Sequence, residues 1–186
     1  MENDLQKRKK NRLENYDYSS WGAYFITICT LERRNYFWHN VGATIGRPQI
    51  TIDDIIDETT GFLKDMELSP YGKIVDEAIN NIPRVYPAIS LEKYVIMPDH
   101  IHLLLMIRVD ERGRPMVAPT LSRVIQQMKG YVTKRIGISI WQKLFFDHII
   151  RNMQDYEEHV KYIYENPIRW YYDKLYPQKT EDIFIV

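Results

Sequence analysis

Apolar residues in this chain recur with the two spacings that distinguish strands from helices. The segment from Ala23 to Thr30 alternates and is rich in aromatic and β-branched residues, which predicts a strand. EKYVIM and HIHLLLMI predict two further strands, joined by a tight turn at Pro98-Asp99. A short strand is also predicted within residues 141–151, after an irregular segment.

Helical spacing is found in three other segments. Ser69 followed by proline is a helix-start signal, and apolar residues then repeat at helical intervals up to Pro83. In LSRVIQQMKGYVTKRIG the apolar residues again fall on one helical face. A final helix, MQDYEEHVKYIYEN, begins at an Asn152 cap and is expected to end near Pro167.

The final helix carries tyrosines on different sides. At about 100° per residue, four residues form the predicted core stripe: Tyr156, Val160, Ile163 and Tyr164. A different side carries His159, Tyr162 and Asn166. This side is either an ordinary solvated surface with an exposed tyrosine or part of a reaction site.

Two histidines stand in one of the most apolar runs of the chain, VIMPDHIHLLLMI. Side chains at i and i+2 of a strand share a face, so His100 and His102 project together. The opposite face is filled by Ile101, Leu103, Leu105 and Ile107. Because the pair follows a tight turn, we expect it at an edge of the sheet, within reach of solvent. Paired imidazoles suit a metal ion, although histidines in a core strand are also often structural.

Composition bounds the possible classes of protein. A chain of 186 residues with 45% hydrophobic residues predicts one globular domain, 1–186. The net charge of zero gives no global signature of a nucleic-acid binder, so any such surface must be local. Lysine and arginine are concentrated in a basic N-terminal arm, 1–15, that is either a solvated tail or a phosphate-binding segment. An elaborated loop is expected at about 39–66.

A second local concentration of positive charge lies on the helix LSRVIQQMKGYVTKRIG. Its polar face has no acidic residue and carries Arg123, Gln126, Gln127, Lys129, Lys134 and Arg135. Such a face is usually only solvated, but the absence of acids also fits contact with phosphates.

The single cysteine and the composition of the N-terminal segment indicate the cellular compartment of the protein. Cys29 lies in an apolar run, so we expect a buried, inert thiol and no disulfide or cysteine-zinc cluster. No secretory signal or membrane-length apolar run is recognised, which predicts a reducing cytoplasm and no membrane contact. His148 is expected to be a core or capping histidine rather than a metal ligand.

The histidine pair and the tyrosine helix together allow a specific chemistry. Two imidazoles and the carbonyl oxygen of Asn166 could hold a divalent ion with open positions for a phosphate. The phenol of Tyr162, one helical turn away, would then be placed to attack a phosphodiester. The product would be a phosphotyrosine that conserves the bond for later rejoining.

Several segments together resemble a known family. DHIHLLL resembles the His-hydrophobic-His motif of the HUH nucleases, and YIYENP resembles the single-tyrosine motif of their transposase branch. The order along residues 16–167 is typical of REP-associated tyrosine transposases: YDYSSWGAYFITICT, SPYGKIVDEAI, VIMPDHIH, LSRVIQQMKG, WQ with FFDHIIR, and YIYENP. These are relatives of small insertion-sequence transposases that move single-stranded DNA.

The resemblance implies an α+β fold, a ferredoxin-like antiparallel sheet with packed helices. It implies His100 and His102 as metal ligands, Asn166 as the amide that completes the site, and Tyr162 as the nucleophile. Mg²⁺ or Mn²⁺ would be the cofactor. The substrate would be single-stranded DNA with hairpins, cleaved to a five-prime phosphotyrosine and a free three-prime hydroxyl by a nucleoid-associated bacterial enzyme.

Backbone contacts to this DNA are expected from basic residues, with Gln126 reading or stacking on bases. The predicted DNA-binding residues are Arg8, Lys9, Lys10, Arg12, Arg33, Arg34, Gln126, Lys129, Lys134 and Arg135. The residues leave open whether the protein is a monomer or a homodimer, and whether the tyrosine acts on the histidine site of its own chain.

Two alternatives remain at this point. A domesticated protein would bind hairpin DNA without transposing it. A metal-dependent nuclease would use water as the nucleophile, with Tyr162 only positioning the phosphate. A covalent protein–DNA adduct separates this nuclease from the strand transferase. A small-molecule metalloenzyme has no support in the sequence.

Overall fold

The computed structural model describes residues 21–39, 67–108 and 120–175. The predicted basic arm, with Arg8, Lys9, Lys10 and Arg12, and nearly all of the predicted loop at 39–66 lie outside the described residues. Four antiparallel strands form one sheet in the order β2-β3-β1-β4. Their bounds are Gly22–Cys29 (β1), Ile89–Ile96 (β2), His100–Ile107 (β3) and Phe146–Ile149 (β4).

Three helices complete this α+β fold, together with a one-turn helix at Ile82–Val85 and a 3₁₀ turn at Leu31–Arg33. The helices are Pro70–Asn80 (α1), Leu121–Ile136 (α2) and Met153–Leu175 (α3). Within the described segments, the order β1-α1-β2-β3-α2-β4 with this strand order is the ferredoxin-like arrangement. The predicted fold class is therefore confirmed.

The strand register divides the sheet into two faces. Ile101, Leu103, Leu105 and Ile107 on one face of β3 are at most 1% exposed. These residues alternate with His100 and His102, which lie on the opposite face. α1 and α2 pack against each other. α3 lies over the histidine face, because Tyr162 contacts His102.

The start of α1 follows from local chemistry. Ser69 is the N-cap, and its hydroxyl accepts a hydrogen bond from the backbone N–H of Gly72 at 3.0 Å. Only glycine fits at position 72, because a Cβ there would overlap the carbonyl oxygen of Phe37. The predicted helix start is confirmed, and the connection through Phe37 fixes α1 against the chain that follows β1.

Helix α3 differs from its prediction in two respects. It does not end near Pro167 but continues through this proline to Leu175. A proline inside a helix loses one hydrogen bond, but Pro167 is buried and Trp170, one turn later, packs edge-on against Trp38 at 5.2 Å. Tertiary packing therefore extends the helix past its local stop signal.

The predicted core stripe of α3 is also partly wrong. Ile163 is buried, and Tyr156 and Val160 pack against the core, as predicted. Tyr164 is 60% exposed. The side of α3 that faces the sheet includes His159 and Asn166 instead of Tyr164. The reason is that α3 crosses a face of the sheet that carries histidines rather than a purely apolar face. In the described part of the chain, no helix has the length and apolarity required to cross a membrane.

Candidate functional site

The histidine pair lies on an interior strand, not at an edge of the sheet. β3 is bordered by β2 on one side and β1 on the other. His100 is 8% exposed and His102 is 3% exposed, so the expectation of a solvent-accessible edge position is wrong. The tight turn brings the pair to the end of β3, but the neighbouring strands and α3 cover it. The two rings are 4.7 Å apart, centroid to centroid.

His100 is held by an acidic residue that directly precedes it. Its Nδ1 donates to Oδ1 of Asp99 at 2.5 Å, and Arg33 Nε lies 3.4 Å from Oδ2 of Asp99. Burial alone would raise the pKa of Asp99, but the hydrogen bond and the charges of His100 and Arg33 lower it below its ordinary value. The ionised carboxylate fixes the ring so that Nε2 is left for another partner.

His102 is held from the neighbouring strand. Thr27 stands opposite it in the β1–β3 register, and the hydroxyl of Thr27 is hydrogen-bonded to His102 Nδ1 at 2.9 Å. Burial, with the nearby charges of His100 and Arg33, lowers the pKa of His102 to about 3. The imidazole is therefore neutral at physiological pH, and with its proton on Nδ1 it offers the lone pair of Nε2.

The Nε2 atom of His102 is buried and has no hydrogen-bond partner among the described residues. An unpaired polar atom in a protein interior costs roughly 1–3 kcal/mol and calls for an explanation. A metal ion bound by both imidazoles would satisfy it. The donor set, two imidazoles oriented by Asp99 and Thr27, fits a divalent ion.

Tyr162 meets the histidine pair from α3. Its ring lies edge-on to His102 at 5.1 Å and edge-on to Phe25 at 5.8 Å, while 40% of the residue remains exposed. Asn166 follows one helical turn later and is buried. The structure thus brings His100, His102 and Tyr162 of one chain together, with Asn166 on the adjacent turn of the same helix.

Arg33 and Arg34 follow β1 close to this site. Glu32 and Arg33 adopt positive φ values of 55°, a conformation that non-glycine residues adopt at a cost. This turn directs Arg33 to Asp99 and to the thiol of Cys29, whose Sγ accepts from Arg33 Nη1 at 3.0 Å. Cys29 is buried as expected, and burial raises the pKa of its thiol. Arg34 pairs with Glu32.

Not every residue on the predicted basic face of α2 is exposed. Lys129 donates from Nζ to the carbonyl oxygen of Gln142 at 2.6 Å, which ties α2 to the segment before β4. Arg135 pairs with Glu77 of α1 at 3.2 Å, so an acid absent from the helix itself is supplied by its neighbour. Gln126 and Lys134 are exposed. The DNA-binding role of this face stays a prediction.

A second polar cluster was not anticipated from the sequence. His148 of β4 is not a core residue, since its side chain is 41% exposed, and it hydrogen-bonds Asp155 in the first turn of α3. His159 stacks on His148 at 4.6 Å and on its other side contacts Phe25. Helical spacing predicts His159 on the same side of the helix as Tyr162. His148 reaches His159 only because β4 pairs with β1.

Comparison with known proteins agrees with this fold. No protein-family model matches the chain. A solved structure of REP-associated tyrosine transposase bound to a REP hairpin matches with a TM-score of 0.54 at 24% identity, covering 80% of this chain and 68% of that one. The chain is therefore a ferredoxin-like α+β protein of the kind seen in that transposase.

Sequence relatives point in the same direction. An uncharacterised protein of Haemophilus influenzae is 28% identical over 92% of this chain and 94% of its own length. The REP-associated tyrosine transposase of Escherichia coli is 31% identical over 98 residues, 52% of this chain, so the match spans about half (54%) of that relative. These findings support the family that the motifs indicated, the REP-associated tyrosine transposases.

Proposed function

We propose that this protein is a metal-dependent strand transferase that cuts single-stranded DNA through a covalent five-prime phosphotyrosine. The observation that carries the proposal is the contact between Tyr162 and His102, whose buried Nε2 is unpaired among the described residues. A phenol that is partly exposed and adjacent to an imidazole with an unpaired nitrogen is suited to nucleophilic attack at a metal-bound phosphate.

The proposed metal ligands are oriented by their neighbours. His100 and His102 would hold Mg²⁺ or Mn²⁺, with the amide oxygen of Asn166 as a further ligand. When bound, the ion polarises the phosphodiester and neutralises developing charge. Asp99 and Thr27 orient the two imidazoles through their Nδ1 atoms. Phe25 packs against both Tyr162 and His102 and so restricts the orientation of the nucleophile.

The reaction conserves one phosphodiester bond. The hydroxyl oxygen of Tyr162 attacks phosphorus and loses its proton to water. The bond from phosphorus to the three-prime oxygen breaks, and this oxygen takes up a proton from water. A free three-prime hydroxyl and a five-prime phosphotyrosine result. Attack by a three-prime hydroxyl on this phosphotyrosine reverses the step and joins strands, which a hydrolytic nuclease cannot do.

Hairpin-bearing single-stranded DNA is the proposed substrate. The support is that the structural neighbour is a transposase bound to a REP hairpin and that the E. coli relative is named for the same family. Exposed basic residues, Lys134 among them, would bind the backbone without reading sequence.

The test is a denaturing gel with labelled single-stranded DNA that contains predicted hairpins from beside the gene, incubated with protein and Mn²⁺. Wild type should give a slow-migrating covalent adduct, and Tyr162→Phe should give none while still binding DNA and metal. Tyr164→Phe is the matched control, because Tyr164 is on the same helix but 60% exposed and outside the described site; it should form the adduct normally.

The other outcomes identify the alternatives. Cleavage without an adduct would point to water as the nucleophile. Retarded DNA in a native gel, without cleavage in any metal, would point to a binding protein. An equal amount of adduct from the Tyr162→Phe protein would contradict the assignment of the nucleophile.

A further inference from the structure

The cluster of His148, Asp155 and His159 has the composition and the spacing of a metal site separate from the His100–His102 pair. The potential ligand atoms of the three residues lie within 4.8 Å of one another. His148 Nε2 is 2.9 Å from Asp155 Oδ1, and His159 Nδ1 is 3.1 Å from the same oxygen. Adjacent ligands around an ion with bonds of about 2.1 Å stand about 3.0–3.4 Å apart, so both distances to Asp155 are close to those of a shared ion.

We propose that His148, Asp155 and His159 bind a divalent transition-metal ion, of the class of Zn²⁺, that fastens the start of α3 to β4. Two imidazole nitrogens and one carboxylate are ligands that Zn²⁺ accepts. Bound in this way, the ion is structural: it joins two elements that are consecutive in the chain but belong to different layers.

Asp155 is prepared as a ligand by its surroundings. The backbone N–H of Arg151 donates to its Oδ2 at 2.9 Å and so fixes the carboxylate plane. Burial would raise the pKa of Asp155, but hydrogen bonds from His148 and from the Arg151 amide, with the nearby imidazoles, lower it below its ordinary value. The carboxylate is therefore ionised throughout the physiological range.

The two imidazoles are already close, but they would have to turn. Their rings are nearly parallel, with an interplanar angle of 17° and centroids 4.6 Å apart, and because an imidazole lone pair lies in the ring plane, the rings must tilt toward each other to share one ion. In the metal-free protein, Nδ1 of His159 donates to the backbone oxygen of Asp155 at 2.7 Å and approaches its carboxylate. A metal ion would replace this proton. The 41% exposure of the His148 side chain leaves an entry path from solvent.

An ion at the His148–Asp155–His159 cluster would affect the position of Tyr162 through one turn of α3 and the ring of Phe25. His159 precedes Tyr162 by three residues on α3, so the two share a side of the helix. Phe25 contacts both of them and also stacks on His102 at 5.1 Å. An ion that fixes His159 would therefore fix the helical turn from which Tyr162 reaches the histidine pair.

The experiment counts bound Zn²⁺ per chain by calorimetric titration of the chelator-treated protein and follows the Tm with and without Zn²⁺. The chain has five histidines: two in the pair, two in this cluster, and His39, which is exposed. Wild type should bind one ion per chain more than His148→Gln, whatever the pair binds. His148→Gln should also lose most of the rise in Tm. His39→Gln is the matched control and should behave as wild type.

Equal stoichiometry for wild type and His148→Gln would overturn the proposal, and the cluster would then be a hydrogen-bonded network alone. His159→Gln is a second variant that controls for misfolding of His148→Gln. It should lose the same single ion. This readout is independent of DNA chemistry. Failure here leaves the phosphotyrosine assay unaffected, and failure of that assay leaves the count of ions unaffected.

Discussion

His102 combines deep burial with a ring nitrogen that has no partner among the described residues. Thr27 and the surrounding strands supply the orientation, while burial removes the competing proton. Asp99 orients the ring of His100 from an adjacent position in sequence. At the scale of the residue, the arrangement therefore orients two imidazoles before any ion arrives.

Burial of a neutral histidine makes stability depend on pH. The unfolded chain binds a proton at His102 below about pH 6.5, whereas the folded protein does so only near its lowered pKa of about 3. The contribution of His102 to the free energy of unfolding is therefore fully present above pH 6.5 and is lost as the pH falls toward 3. Its slope is at most about 1.4 kcal/mol per pH unit.

Urea unfolding of chelator-treated protein at pH 7, 6 and 5 measures this slope. His102→Gln removes the titrating group, so the stability of this variant should fall less steeply over the same range. The other histidines are common to both proteins and cancel in the comparison. Identical slopes for the two proteins would show that His102 is not held neutral by the fold.

At the scale of the element, α1 and α2 contain glycines with opposite structural roles. A side chain at Gly72 would overlap the carbonyl oxygen of Phe37, whereas a Cβ at Gly130 of α2 would have nothing within 4 Å. Gly72→Ala should therefore destabilise the protein by about 1–3 kcal/mol through overpacking. Gly130→Ala should stabilise it by about 0.5–1 kcal/mol, since alanine favours a helix.

Thermal unfolding of the two variants beside wild type provides the measurement, and the pair forms its own control because the chemical change is identical. The expected changes in Tm have opposite signs. No loss of stability in Gly72→Ala would contradict the described approach of α1 to the chain after β1, and a loss in Gly130→Ala would contradict the open space beside α2.

Local signals predicted most elements, and tertiary contacts explain the differences. β1, β3 and the Ser69 cap follow from alternation and capping alone, and each is found as predicted. The length of α3 does not follow from local signals, because it depends on the contact of Trp170 with Trp38, two residues far apart in sequence. Similarly, Tyr164 fits an apolar stripe in sequence but is exposed, since the sheet beneath α3 carries histidines.

The candidate site shows the same division. His100 and His102 could be singled out from their spacing, and Tyr162 and Asn166 from helical geometry and family resemblance. The roles of Thr27 and Phe25 could not, because both depend on the register of β1 with β3. His148 likewise reaches His159 only after β4 has paired with β1. Sequence spacing finds partners within an element, and strand pairing brings together those on different elements.

At the scale of the whole molecule, the tyrosine and the histidine pair of one chain lie together. Tyr162 and His102 of the same chain are in contact, with ring centroids 5.1 Å apart. The sheet lies between α3 and the opposite face on which Ile101 and Leu103 are fully buried. A reaction at this site would thus use the tyrosine and the histidines of one chain, whether the protein is a monomer or a homodimer.

Mixing two inactive variants tests this arrangement. His100→Gln removes a ligand and Tyr162→Phe removes the nucleophile, so each protein alone should give no adduct in the denaturing gel. If each site is formed within one chain, unfolding and refolding the two variants together should restore nothing. If the tyrosine acted on a partner in a two-fold dimer, mixed dimers would restore about a quarter of the wild-type adduct. Wild type refolded with an equal amount of Tyr162→Phe controls for losses in refolding, and its adduct should persist at about half the wild-type level if sites are independent.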